Sequence, residues 1–268
     1  MTRTNEDTVG KEDASRPGRV DALDWGPEGA RSFGSELVEL WAELLERLPG
    51  LPISRRRSVE EVRAAVARPI PDEPVPRDQL LDYLRSLAFE HSTYTGHSGF
   101  MAYITGPGTI PGAAADLLMA ALNQNLGGWR LSPAATEIEL ALTRWFGQRL
   151  GFPETAAGMI TSGGAMANFM GLKAARDARA GRDVRRDGVA GGPALTLYAS
   201  AEVHDVNTRA ADMLGLGMEA VRRVPVDDRL RMRVDALWEA VEADRSAGRQ
   251  PVAVVATAGT VATGAIDP

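Results

Sequence analysis

The residues best equipped for chemistry lie where three predicted strands give way to loops. The first is Met159-Ile-Thr-Ser-Gly-Gly-Ala-Met-Ala-Asn168, which runs into a helical stretch from Phe169. A strand, a turn of small residues and a helix start leave backbone N–H groups unpaired at the positive end of a helix dipole. The turn Ser162–Ala165 therefore suits a phosphate, since small side chains let an anion approach the backbone. The bland alternative is a tight β–α turn with no ligand. The turn has neither G-x-G-x-x-G nor a G-K-[ST] ending, which disfavours dinucleotide and P-loop sites. His204, in Tyr198-Ala-Ser-Ala-Glu-Val-His-Asp-Val-Asn207, follows a second strand. Thr257, in Val254-Val-Ala-Thr-Ala-Gly-Thr260, ends a third. Alone, His204 reads as a solvated or capping residue and Thr257 as a turn residue. Together they put a phosphate cradle, an imidazole and a hydroxyl on the C-terminal edge of a parallel sheet, where ligands bind.

Two aromatic residues upstream add apolar surface. Tyr103 lies in His97-Ser-Gly-Phe-Met-Ala-Tyr-Ile104, and Trp129 in the segment Asn123–Ala134, although both also fit as core aromatics. The arginines at 55–57 and 222–223 read as solvated faces. The three histidines, His91, His97 and His204, lack metal-ligand spacing, and there is no cysteine. That leaves no thiolate chemistry and no expected metal site.

The elements that must position these groups can be read from periodicity. Apolar residues at helical spacing predict helices over 35–48, with Leu37, Trp41, Leu44, Leu45 and Leu48 inward, then over 58–67 and 78–89. Further helices are expected over 113–122 and from Pro133 to Leu150, the latter with Ile138, Leu142, Trp145 and Phe146 inward. Beyond them strands alternate with helices: strands 159–161, 195–200, 221–226 and 252–257, and helices 165–180, 203–214 and 234–243. Such alternation means a mostly parallel, helix-covered sheet. The first thirty residues read as a flexible tail or strap, and 181–193 as a polar surface loop. The chain divides into residues 1–107, a tail and helical dimerisation segment with little volume to bury itself, and 108–268, the first part of a large α/β domain.

Composition narrows the class. With 268 residues, 44% hydrophobic and 25% charged, the chain can build a sizeable core. A net charge of −6 argues against nucleic acid as the main partner. No apolar run approaches a membrane span, and the polar N-terminus has no signal-peptide core, so a cytoplasmic location is expected.

The order of these segments resembles the pyridoxal-phosphate-dependent group II amino acid decarboxylases, the family that includes aromatic-L-amino-acid decarboxylase. The matching stretches are HSGFMAYI, ALNQN with the following W..SPA.TE.E, RLGFP, TSGGAMAN, YASAEVH and VVATAGTVATGAIDP, over roughly residues 75–268. The resemblance implies an α/β fold, the large domain of PLP fold type I (aspartate aminotransferase-like), preceded by an N-terminal helical segment that exchanges contacts within a homodimer. It also implies pyridoxal 5'-phosphate as cofactor and an L-amino acid, aromatic by the Tyr103 and Trp129 surface, as substrate. Carried over, Gly164 and Ala165 would meet the phosphate through backbone N–H groups, with Gly163 shaping the turn. His204 would stack on the pyridine ring as the catalytic residue, and Thr257 would lie beside the ring oxygen. Tyr103 and Trp129 would line the substrate pocket.

Three departures stand out. His97 is followed by Ser98 where the family often has proline, and Asp205 follows the stacking histidine where a small, hydroxyl or aromatic residue is usual. A carboxylate there either acts on the imidazole or points to solvent. The third is that the family's Schiff-base lysine and pyridine-nitrogen aspartate find no match, the lysines being Lys11 and Lys173 alone. The chain is therefore expected to be the N-terminal piece of a longer carboxy-lyase and to be silent by itself. The alternatives are another fold type I lyase or aminotransferase relative, and a non-catalytic truncated dimer partner.

Overall fold

The computed structural model describes residues 25–67 and 69–268, so the tail or strap expected before Trp25 lies outside the described residues. Two compact units divide at Thr109 and Ile110. In the first, helix α1 spans Gly26–Arg47. It begins well before the expected Ser35, so residues 26–30 are helical rather than part of a tail. Pro27 at the first turn and Glu28 near the dipole's positive end favour that start, and Trp25 packs edge-on to Phe33 at 5.0 Å. Helix α2, Val59–Val66, opens on a capping box. Ser58 Oγ accepts the Glu61 N–H at 3.1 Å, and Glu61 Oε2 accepts the Ser58 N–H at 2.7 Å. Helix α3, Arg77–Ser86, runs on into a π turn at Leu87–His91. Arg77 Nη2 reaches Glu36 at 2.7 Å and Arg85 Nη1 reaches Glu43 at 2.6 Å, which ties α3 to α1. Only Phe89 and Tyr94 are fully buried among this unit's described apolar residues.

The second unit holds α4 (Ile110–Leu122), α5 (Pro133–Arg149), α6 (Gly164–Arg179) and α7 (Val184–Asp187), followed by β1 (Leu195–Ser200), α8 (Val206–Met213), β2 (Val221–Val224), α9 (Val234–Ser246) and β3 (Gln250–Val255). The strands form one parallel sheet in the order β2-β1-β3, with Ala199 paired to Arg223 on one side and to Val255 on the other. All six residues of β1 are buried, as expected for a central parallel strand covered on both faces. Side chains alternate between those faces. Leu195, Leu197 and Ala199 join Leu172 of α6 and Ala210 and Ala211 of α8, whereas Tyr198 joins Val224, Met232 and Val241 of α9. The chain steps from β1 to β2, then crosses back past β1 to β3. Crossovers of one hand then put α8 and α9 on opposite faces, and the loops after β1 and β3 leave neighbouring strands at the C-terminal edge.

Three expectations need correction. Residues 159–161 pair with no strand, because the Ile160 N–H donates to Glu139 Oε1 of α5 at 2.7 Å instead of to a ladder. Residues 181–193 are not all surface loop. Asp183 caps α7 by accepting the Arg186 N–H at 3.2 Å, and Val184 joins the core. On α5, Ile138, Leu142, Trp145 and Phe146 are exposed rather than inward, Ile138 by 67%, and so is Leu45 on α1.

Candidate functional site

At the C-terminal edge of the sheet lies a cleft of about 370 Å³. The start of α6 supplies Gly164, Ala165 and Asn168, the β1–α8 loop supplies Val203, His204, Val206 and Asn207, and the segment after β3 supplies Thr257. Gly163 precedes the helix at φ +156°, ψ 174°, a region almost restricted to glycine. The first intrahelical bond to it comes from the Ala167 N–H, so the N–H groups of Gly164, Ala165 and Met166 have no acceptor within the helix. A Cβ built on Gly164 would meet no atom within 4 Å. Asn168 Nδ2 donates to Gly164 O at 2.8 Å and steadies the turn.

His204 is exposed to the cleft. Its Nδ1 accepts the Val206 N–H at 3.1 Å, and its carbonyl accepts Asn207 Nδ2 at 3.1 Å. Asn207 is 4% exposed, and its Oδ1 is buried without a hydrogen-bond partner. Thr257 is held by Asp267, whose Oδ2 accepts the Thr257 N–H at 2.9 Å while Oδ1 accepts the Met232 N–H at 2.7 Å. The Asp267 N–H returns to Thr257 O at 2.9 Å. A second cleft of about 390 Å³ shares Val203, His204 and Thr257 with the first and is rimmed by Glu202, Asp205 and Arg209. Among the described residues, no group of side chains could hold a metal ion, and no helix is long and apolar enough to cross a membrane.

Behind the cleft the sheet is braced by charge. Tyr198, 1% exposed, donates its O–H to Asp244 Oδ2 at 2.8 Å. Arg222 Nε and Arg249 Nη1 bond the same carboxylate at 3.0 and 2.8 Å. Burial pushes the Asp244 carboxyl up, but the hydrogen bonds from Arg222, Tyr198 and Arg249 outweigh it and hold it at about 2. Burial first, and then the Asp244 charge, push the Tyr198 phenol up. Arg222 is therefore part of the core's charge network rather than of a solvated face, whereas Arg223 stays exposed as expected. Arg222 closes this network, and Arg223 bonds Val203 O, Asp205 and Thr208. Asp205 pairs with Arg223 at 3.2 Å on the surface and is largely exposed to solvent, with no bond to the imidazole.

The structure thus brings Gly164, Ala165, His204 and Thr257 around one cleft, with Gly163 at its turn. Tyr103 lies in the first unit at φ +61° and is 79% exposed. Trp129 is in the second unit but does not line the cleft, and its Nε1 donates to Glu137 at 2.8 Å. Sequence reasoning passed over Asn168, Asn207 and Asp267. Asn207 is the second residue of α8 and Asn168 sits one turn into α6, helices that open on the candidate loops, and that placement was the available signal.

A pyridoxal phosphate fits these residues. The open space over Gly164 takes a phosphate against unpaired N–H groups, and His204 and Thr257 flank the adjoining volume. Comparison with known proteins points the same way. The profile of the pyridoxal-dependent decarboxylase conserved domain matches residues 60–268, and the chain belongs to that family. An aromatic-L-amino-acid decarboxylase of Bacillus atrophaeus is 31% identical over 91% of this chain and 49% of its own length. An L-2,4-diaminobutyrate decarboxylase of Rhizobium meliloti is 39% identical over 68% of this chain and 35% of its own. The crystal structure of Oryza sativa TDC with PLP and tryptamine matches with a TM-score of 0.82 at 28% identity, covering 91% of this chain and 51% of that one. The glutamate decarboxylase domain of a Vibrio parahaemolyticus protein matches with a TM-score of 0.81 at 27% identity over 90% of this chain and 54% of that one. The chain spans about half the length of the first of these curated relatives. The fold is α/β, a portion of a fold type I pyridoxal phosphate domain preceded by N-terminal helices.

Proposed function

We propose that this chain contributes the phosphate- and ring-contacting side of the active site of a pyridoxal-phosphate-dependent L-amino acid decarboxylase. The observation that carries this reading is the single cleft shared by Gly164, Ala165, His204 and Thr257 in a chain of this family. Bound there, the cofactor supplies an electron sink for the pair left on Cα when carbon dioxide departs. The chain's own residues do the holding. The α6 N–H groups would hold the phosphate, the His204 ring would lie against the pyridine, and the Thr257 hydroxyl would serve the ring oxygen. Lys173 is not the anchor for the aldehyde. It pairs with Asp177 at 2.6 Å, about two helical turns, or roughly 12 Å, beyond the cradle. The 268-residue chain alone is accordingly silent in our reading.

An aromatic substrate is supported by the exposed rings of Tyr103 and Trp129 and by the Bacillus relative. The Rhizobium relative supports a diamino acid instead. Apolar side chains stand exposed along α4 and α5, among them Leu117, Leu118, Ile138 and Trp145, and clustered exposure of this kind marks interaction surfaces. They support pairing with a second copy.

The test is to load the protein, as its gene encodes it, with pyridoxal phosphate and offer tryptophan, tyrosine, phenylalanine, 2,4-diaminobutyrate and glutamate. Amine and carbon dioxide should form fastest from an aromatic substrate. Diaminobutyrate leading would favour the second reading, and release no faster than a protein-free control from every substrate would overturn the proposal. Borohydride reduction of the 268-residue chain with cofactor should leave Lys173 without stoichiometric labelling.

A further inference from the structure

The residue after His204 is where this chain departs from the family it resembles, and the structure shows what Asp205 meets. Arg223 lies on β2, in register with Ala199 of β1. Its guanidinium reaches past the strand end to the β1–α8 loop and makes three contacts there. Nη1 donates to Val203 O at 3.2 Å, and Nη2 donates to Asp205 Oδ1 at 3.2 Å and to Thr208 Oγ1 at 2.9 Å. These acceptors bracket His204: the residue before it, the residue after it and the first turn of α8. From the other side Asn207 closes on the His204 carbonyl through both its backbone N–H, at 3.2 Å, and its Nδ2, at 3.1 Å. Pinned between these grips, the imidazole has its Nδ1 turned to the Val206 N–H at 3.1 Å. An Nδ1 that accepts an N–H carries no proton of its own, so the neutral ring bears its hydrogen on Nε2.

We propose that Arg223, with Asp205 as its anionic partner, is a positioning residue that fixes the orientation and the Nε2–H tautomer of His204. The charge pair is exposed, with Asp205 at 77% and Arg223 at 37% of side-chain surface. An exposed pair of this kind adds little to global stability. What it contributes is order. A planar fork that holds three acceptors at once restricts a loop in a way that a point charge does not. The part of the proposal that concerns the cofactor rests on the functional reading above. The orientation of the ring does not, and it is measured without cofactor.

The experiment uses the whole chain, which has only three histidines. Two-bond proton–nitrogen correlation spectra at a pH where the ring is neutral report the tautomer of each imidazole, and His204→Gln assigns the signals. The unmodified chain should show His204 with Nε2 protonated and Nδ1 bare. Arg223→Ala and Asp205→Ala should each move it toward the averaged pattern of a free imidazole, with Arg223→Lys falling between Arg223→Ala and the unmodified chain. Asp205 is on the surface, so its variant keeps the test sound even if Arg223→Ala folds poorly. In a second arm, pyridoxal phosphate affinity of Asp205→Ala should fall about fivefold, corresponding to about 1 kcal/mol, with little change in thermal midpoint. A fixed Nε2–H tautomer that survives Asp205→Ala would overturn the proposal. A lost tautomer with unchanged cofactor affinity would uphold the positioning of the ring and contradict the ring-contact role of His204.

Discussion

Strand β1 and helix α5 are both rich in apolar residues, yet they use them in opposite ways. In β1 every side chain is buried, the apolar ones shared between a cluster under α6 and α8 and another under α9. On α5 no residue is buried, and Ile138, Trp145 and Phe146 stand 67%, 48% and 48% exposed. The difference teaches where the fold is self-sufficient. The sheet and its three covering helices complete their own core and hold the cleft on its C-terminal edge. Helices α4 and α5 present apolar faces that the other described residues leave exposed.

Substitutions can break or sharpen that contrast. The largest effect is expected at Asp244. Asp244→Ala leaves Arg222, Arg249 and the Tyr198 O–H without their shared acceptor, at a cost of about 4 kcal/mol in urea unfolding. The same carboxyl makes an acid signature. Its folded-state value of about 2 lies below the ordinary 3.8. It therefore contributes about 2 kcal/mol that is present above pH 3.8 and is lost as the pH falls through 2. That part of the acid destabilisation should be missing in the variant. Next comes Leu197→Ala in the middle of β1, with a loss of about 3 kcal/mol by the same measurement. Gly163→Ala should cost about 1–2 kcal/mol, since alanine tolerates φ +156° poorly, and should also weaken cofactor binding in a titration. The smallest effect is expected on α5. Ile138→Ala should change unfolding by no more than about 0.5 kcal/mol, while reducing self-association in sedimentation. A loss at Ile138 equal to that at Leu197 would mean that α5 is buried against its own chain.

The same contrast explains what the sequence made legible. Leu195–Ser200 reads as a buried strand because a continuous apolar and β-branched run bounded by turns has few other homes. The loops after β1 and β3 follow from it, and with them the neighbourhood of His204 and Thr257. Residues 159–161 look equally strand-like, but whether a ladder partner lies alongside is a tertiary fact, and Glu139 takes the Ile160 N–H instead. Arg222 looked like surface charge because its partner, Asp244, is 22 residues away in the chain. Helical periodicity marked one apolar face of α5 without telling whether this chain covers it. The N-terminal boundary of α1 was hidden by Pro27 and Gly26, which read as breakers and act as a helix start.

The central claim is that the cleft at the sheet edge is the pyridoxal phosphate site. Titration of the isotope-labelled chain with pyridoxal phosphate, followed by backbone amide and imidazole resonances, tests it most directly. Saturable shifts should centre on the amides of Gly164 and Ala165 and on the His204 ring, with the Thr257 amide moving at the same midpoint, and Gly164→Val should weaken all of them together by filling the space over the cradle. Saturation that leaves these groups unmoved, or that centres on Lys173, would contradict the account.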